Sequence, residues 1–259
     1  MPNLLRLIAV AYVGVLVALP VGVLSWRAFQ PGLSAFWSAI SNPDSVAAFE
    51  RTLTIALIST AVNVVFGVAA AILLVRHRFL GRGLLDALID LPVAVSPIVV
   101  GLALVLVYGV GGWFGFGPGA VIGSTVGMVL ATVFVSFPLV VRAVAPTLEE
   151  IGTDQEVAAA SLGAGPITVF RRITLPAIRV ALGYGIVLTL ARCLGEFGAV
   201  LVVSGGFANS ETAPLRISTL LQVDFEPQQG YAIAFVLMLV AVLVIALVSF
   251  LQRKKEVLS

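Results

Sequence analysis

Two ionisable residues stand four apart in an otherwise apolar run, Arg192 and Glu196 in ARCLGEFGAVLVVSG. A guanidinium presents a fixed fork of N–H donors that suits a carboxylate or an oxyanion. A charge in so apolar a stretch is costly unless it is paired or faces a cavity. At this spacing on a helix the two side chains share a face and can pair with each other. Two readings follow. One is an internal ion pair that fixes helix packing. The other is a pair lining an anion path, with Arg192 offering hydrogen bonds to an oxyanion.

Other residues able to do chemistry are few. The chain has one cysteine, Cys193, and one histidine, His77 between two arginines. A single cysteine excludes an internal disulfide and a cysteine-rich metal site. Neither a G-x-S-x-G nucleophile turn nor an H-E-x-x-H zinc helix occurs. The only lysines are Lys254 and Lys255, so the chain holds no G-x-x-x-x-G-K phosphate loop. Neither hydrolase chemistry nor nucleotide hydrolysis is expected of this chain, and no cofactor or metal site is predicted in it.

These residues must be positioned by elements that live in lipid. Of 259 residues, 60% are hydrophobic and 11% charged, with a mean hydropathy of +1.12. Soluble domains carry about 25% charged residues. A bilayer core needs about 20 apolar residues in a helix. Six stretches qualify: 7–26, 53–75, 91–110, 121–141, 180–203 and 231–251. The first is longer than a signal-peptide core and no A-x-A site follows it, so it is predicted as a retained span. Pro20, Pro92, Pro97 and Pro138 fall in or beside spans, which neighbouring helices can tolerate. Ser96-Pro97 is expected to mark a kink and Gly101 a close helix approach. Asn63, mid-span, is expected to bond to a neighbouring helix.

The basic residues are distributed unevenly. With the N-terminus inside, Arg6, Arg76, Arg78, Arg82, Arg142, Arg171, Arg172, Arg179, Arg253, Lys254 and Lys255 face the cytoplasm. Arg27, Arg51 and Arg216 face outward. This bias predicts both termini in the cytoplasm. Asp86 and Asp90 are read as interfacial charges close in sequence to Arg76, Arg78 and Arg82. Two connections are long enough to hold structure: an inner one over 142–179 and an outer one over 204–230. Within the outer one, 215–225 is predicted as a short amphipathic helix lying on the surface. Residues 1–52 are read as the first span with its outer connection, 53–252 as a five-helix core, and 253–259 as a cytoplasmic tail.

Inside the inner connection lies GTDQEVAAASLGAGPITVFRRITLP, residues 152–176. Thr153 and Glu156 fit a capping box, in which threonine bonds the Glu156 amide and glutamate returns to the Thr153 amide. Gly163 suits a helix end, and Pro166 a new helix start. Leu175-Pro176 is expected to break that second helix before the fifth span. The stretch is thus predicted as two short helices meeting at a small-residue elbow. Ala158, Ala159 and Ala160 lack bulk, so the first helix admits close approach by another protein. Packing of the hairpin on its own bundle is the alternative.

This segment resembles the EAA loop of ABC-importer permeases, patterned E-A-A, three residues, G, nine residues, I-x-L-P. Ala158 and Ala159 fill the alanine positions, Gly163 the glycine, Ile173 the isoleucine, and Leu175-Pro176 the final pair. Val157 stands where the pattern has glutamate, with Glu156 one residue earlier. RFLGRGLLDALIDLPVAVSPIVVGLALVL (78–106), FVSFPLVVRAVAP (134–146), GTDQE (152–156) and ARCLGEFGAVLVVSG (191–205) resemble the W-type sulfate/thiosulfate permease subunits. Molybdate permeases share the GEFGA segment. The resemblance implies an all-α, six-span permease of the type I ABC-importer fold in the cytoplasmic membrane. It further implies two ATPase subunits that bind ATP, a second permease subunit as heterodimer or homodimer, and an external binding protein. Sulfate or thiosulfate is the implied substrate, with molybdate or tungstate as the alternative. A secondary transporter is the rival class, and the Gly163-to-Pro176 spacing argues against it.

Overall fold

The computed structural model describes residues 2–117, 120–206 and 211–256, and among them there is no strand. In chain order the helices are α1 (Pro2–Phe29), α2 (Leu33–Ser41), α3 (Pro43–Arg76), α4 (Arg82–Ala94), α5 (Pro97–Tyr108) and α6 (Thr125–Ile151). Then follow α7 (Asp154–Ser161), α8 (Pro166–Val169), a π-turn (Phe170–Thr174), α9 (Leu175–Leu194), α10 (Gly198–Val203), α11 (Ala213–Gln222) and α12 (Pro227–Glu256). Five stretches are long and apolar enough to cross a bilayer: 6–29, 43–76, 125–151, 166–194 and 227–246. Helices α4 and α5 form a bent pair, and counting it as one crossing brings the total to six.

The predicted third span, 91–110, is not one helix. The chain turns by 113° between α4 and α5. Ser96 precedes Pro97 and is extended at φ −60°, ψ 135°, because a proline ring excludes the helical region for the residue before it. Hydropathy runs straight through this corner. The predicted fifth span, 180–203, is likewise interrupted. Helix α9 stops at Leu194 with Gly195 as its cap, and α10 begins at Gly198.

The chain divides into two compact units, residues 53–210 with 241–259 and residues 1–52 with 211–240. Among the buried clusters of the larger unit, two pack the helices that carry the site. In one, α3, α4, α6 and α9 pack through Val68, Ala71, Ile89, Val144, Leu148 and Ile178. In the other, α5, α6 and α10 pack through Val100, Ala131, Val135, Ala199 and Val203. Small residues let these helices meet backbone to backbone, as apolar helices in lipid must. Asn63 is fully buried and its Nδ2 donates to Ser136 Oγ at 2.8 Å, joining α3 to α6.

At Gly101 an added Cβ would lie 2.8 Å from the Ala199 carbonyl oxygen and 2.8 Å from Val202 Cβ. Backbone cannot yield as a flexible side chain can. Gly101→Ala is therefore expected to part α5 from α10 and destabilise the chain by about 1–3 kcal/mol. The midpoint of heat-induced aggregation in detergent checks this.

The smaller unit holds α1, α2, α11 and the adjoining ends of α3 and α12. Every described side chain of α1 between residues 6 and 23 is exposed, as a helix facing lipid would leave them. Phe29 stacks on Phe36 at 4.6 Å, and both meet Phe235 edge-on. Helix α2 lies in a connection expected to be unstructured. It follows Gly32, whose φ of +99° turns the chain. The helix predicted at 215–225 is found at Ala213–Gln222, but it is not a surface layer. Ala213, Leu215 and Leu220 are buried, and Leu220 and Ala213 cluster with Ile233 and Phe49. Arg216 lies 3.4 Å from Asp224 and 3.5 Å from Glu211, holding this helix and its approach together.

Candidate functional site

The loop from Gly152 to Pro176 forms a helical hairpin. Helix α7 ends at Ser161, and Gly163 follows at φ +86°. The Gly163 amide donates to Ala160 O at 2.9 Å and the Ala164 amide to Ala159 O at 3.0 Å. This paired 5→2 and 6→1 closure is the Schellman arrangement, and it needs a left-handed residue where Gly163 stands. Pro166 then opens α8 with its fixed φ, as expected.

Leu175-Pro176 does not break the helix. Thr174 and Leu175 keep helical dihedrals, φ −64° and −63°. The π-turn over Phe170–Thr174 adds a residue ahead of the proline, and α8 runs on into α9 as one continuous helical rod. A widened turn moves the carbonyl that a proline ring would otherwise strike. Ile173 and Leu175 are half-buried on this rod, and Pro176 is exposed.

The capping box is also absent. Thr153 has φ −114°, ψ −4° and its side chain caps nothing. Glu156 does not return to the Thr153 amide. Its Oε2 lies 3.0 Å from Arg76 Nε, and its Oε1 accepts from Thr174 Oγ1 at 2.8 Å. A charge-assisted pair with a half-buried guanidinium is stronger than a bond to a solvated amide, so the carboxylate turns inward. The partner lies 80 positions away in sequence, where no local pattern could reveal it.

Beside exposed polar residues such as Asp154, Gln155 and Arg171, the hairpin exposes a set of apolar and small ones. No residue of α7 is buried. Ala158 and Ala160 are exposed, and Ala159 is half-covered. Val157, Leu162 and Ile167 are 60%, 89% and 75% exposed. Apolar side chains exposed on either side of the elbow are available to pack against a partner surface. Sequence reading singled out the alanines and missed Leu162 and Ile167, although both are apolar residues flanking the glycine elbow.

Arg192 and Glu196 are brought together elsewhere in the larger unit. Arg192 Nη1 donates to Glu196 Oε2 at 2.6 Å. They do not share one helix face, because Glu196 lies in the break after α9. Its Oε1 accepts from the Ala199 amide at 3.0 Å and closes the start of α10. The carboxylate side chain is 2% exposed and the arginine side chain 38%. One end of the pair is thus fixed in protein, and the other reaches open space.

A third charged group was not foreseen. Arg142 of α6 donates from Nε to Asp90 Oδ1 at 2.8 Å, and from Nη2 to Asp86 Oδ1 at 2.7 Å and Asp90 Oδ2 at 2.6 Å. The aspartates therefore pair with Arg142 and not with the arginines nearest in sequence. Their spacing on α4 placed them on one face, but nothing local pointed to α6.

The family described as binding-protein-dependent transport system inner membrane component matches residues 63–257. The sulfate transport system permease protein CysW of Synechococcus elongatus is 40% identical over 252 residues, covering 95% of this chain and 88% of that protein. Its counterpart in Escherichia coli is 43% identical over 235 residues, covering 89% and 80%. A chain of a bacterial ABC transporter that imports the acidic polysaccharide alginate superposes with a TM-score of 0.77 at 16% identity, covering 98% of this chain and 94% of that one. That likeness concerns the fold.

Proposed function

Because the chain belongs to the family of binding-protein-dependent transport system inner membrane components, as a multi-pass membrane protein, we propose that it is the permease subunit of an ATP-driven sulfate importer. The observation that carries this reading is the hairpin at 152–176. It presents a rigid glycine elbow with exposed Val157, Leu162 and Ile167 beside small alanines. A pair of ATPase subunits seats against this surface and supplies the energy, since no phosphate loop exists in the chain. One chain offers half a pathway. A second permease subunit, related or identical, completes it, and an external binding protein delivers the anion. Sulfate is the substrate, as the names of the relatives suggest, with thiosulfate beside it by the resemblance of the motifs. Both termini face the cytoplasm by the distribution of basic residues.

The mechanism is alternating access. ATP binding closes the ATPase pair, draws the hairpins together and reopens the spans outward. The Arg192–Glu196 pair lines the anion path. Glu196 is anchored by the Ala199 amide, which holds Arg192 by one Nη atom. The rest of the guanidinium is left for a passing tetrahedral oxyanion.

The test is uptake of labelled sulfate, thiosulfate and molybdate by a deletion strain carrying this chain with its partners. Sulfate or thiosulfate uptake that depends on ATP supports the reading. Uptake by the chain alone in liposomes, with no ATPase recovered on it, sinks it.

A further inference from the structure

Helix α7 has no buried residue by which to anchor itself. Among its described residues, the side-chain hydrogen bonds that leave the helix are made by Glu156. What Glu156 touches therefore decides whether α7 moves with the spans or slides over them.

Its first partner is Arg76, the last residue of α3. A cation there also suits the negative end of the helix dipole. Arg76 Nε and Nη2 lie 3.0 and 3.4 Å from the two Glu156 oxygens. Arg76 Nη1 turns the other way and donates to the Leu148 carbonyl at 2.8 Å. Leu148 lies in the last turn of α6, where carbonyls have no partner within the helix. One guanidinium thus closes the end of α6 and holds α7. The second partner is Thr174, whose hydroxyl donates to Glu156 Oε1 at 2.8 Å from the final residue of the π-turn.

The cluster is sheltered. The Arg76 and Glu156 side chains are 10% and 19% exposed, and Thr174 is 5% exposed. Water competes little for these bonds, so they are stiffer than a surface ion pair. On the helices that hold Arg76 and Thr174, and at Leu148 whose carbonyl Arg76 reaches, Leu74, Leu148 and Ile178 are buried in one cluster that packs α3, α6 and α9. A close-packed interior transmits displacement instead of absorbing it.

We propose that Arg76, Glu156 and Thr174 form a strut that carries movement of α7 into α3, α6 and α9 together. They are positioning residues for the coupling of ATP hydrolysis to transport, not contacts for the ATPase. The neighbouring Val157 is exposed on the outer surface. One residue is about 100° around a helix, so Glu156 and Val157 serve different faces. The proposal rests on the reading of this chain as the permease of an ATP-driven importer.

The experiment uses the complete complex in proteoliposomes, with labelled sulfate inside and outside counted against ATP hydrolysed. Glu156→Gln keeps the shape and an acceptor for Thr174 but removes the charge. It is expected to retain its ATPase subunits and hydrolyse ATP, while sulfate moved per ATP falls about tenfold. Thr174→Val removes a single hydrogen bond, and its ratio is expected to fall in the same direction by about fivefold, with Thr174→Ser at the wild-type ratio. A wild-type ratio in Glu156→Gln, or in Thr174→Val should the Glu156→Gln chain itself fail to fold, overturns the strut. Loss of the ATPase from the Glu156→Gln complex also overturns it, by making Glu156 a docking contact. Failure of the underlying reading looks different: the wild-type complex itself then shows no ATP-dependent uptake.

Discussion

Arg192→Ala is expected to lower the stability of the chain by about 3–5 kcal/mol, because it strands a buried carboxylate. Glu196 is 3% exposed, and its remaining partner is the Ala199 amide. One neutral donor does not compensate an ionised carboxylate taken out of water. The reverse change, Glu196→Ala, is expected to be milder. The Arg192 side chain is 38% exposed and can turn toward open space once freed. The loss there is the ion pair and the closure of α10, where a helix cap contributes about 0.5–2 kcal/mol. The two effects do not add, since both report one interaction. Arg192→Ala with Glu196→Ala is thus expected to be more stable than Arg192→Ala alone. Folded protein recovered from membranes, followed by thermal inactivation of the complex, measures this order. The same variants decide what the pair does. If the double variant regains assembly yet moves no sulfate, the pair serves the anion. If it regains both, the pair only packs the helices.

Gly163→Val is expected to reduce transport by about two orders of magnitude, near the upper end of common coupling energies, while leaving the spans folded. An added Cβ at Gly163 would meet no atom within 4 Å. The penalty is therefore conformational and not steric contact. A β-branched residue cannot hold φ +86° without strain. The chain relieves that strain by giving up the hydrogen bonds of Gly163 to Ala160 and of Ala164 to Ala159. The elbow opens, and Leu162 and Ile167 no longer project from one turn. Gly165 is the internal control. It sits at φ −70°, ψ 161°, which any residue adopts, and it too has no atom within 4 Å of an added Cβ. Gly165→Ala is expected to transport at close to the wild-type rate. Uptake and recovery of the ATPase on the purified chain check both variants, and equal transport by Gly163→Val and wild type would refute the role of the elbow.

The elbow was legible in sequence because its causes are local. Gly163 ends a helix through its own dihedral, and Pro166 begins one through its ring. The capping box failed for the opposite reason. Thr153 and Glu156 match the pattern, but the carboxylate had a stronger partner in Arg76, and the competition was decided across the fold. Asp86 and Asp90 show the same limit, since the guanidinium they share comes from α6. Leu175-Pro176 failed through register: a single π-turn absorbs a proline that a regular helix would not.

By itself the sequence determined the material of this protein. Lipid offers no hydrogen bonds to a bare backbone, so apolar runs of sufficient length must be helical over most of their course. The charge bias of their connections and the turn at Gly163 follow from residues near one another. The tertiary structure alone decided direction and partnership. Hydropathy is the same on both sides of the corner at Ser96 and of the break at Glu196; Pro97 marks the first corner locally, but the chain leaves both so that α5 and α10 pack together. Electrostatic energy depends on distance in space, so the choice of Arg76 for Glu156 and Arg142 for two aspartates waited on the fold.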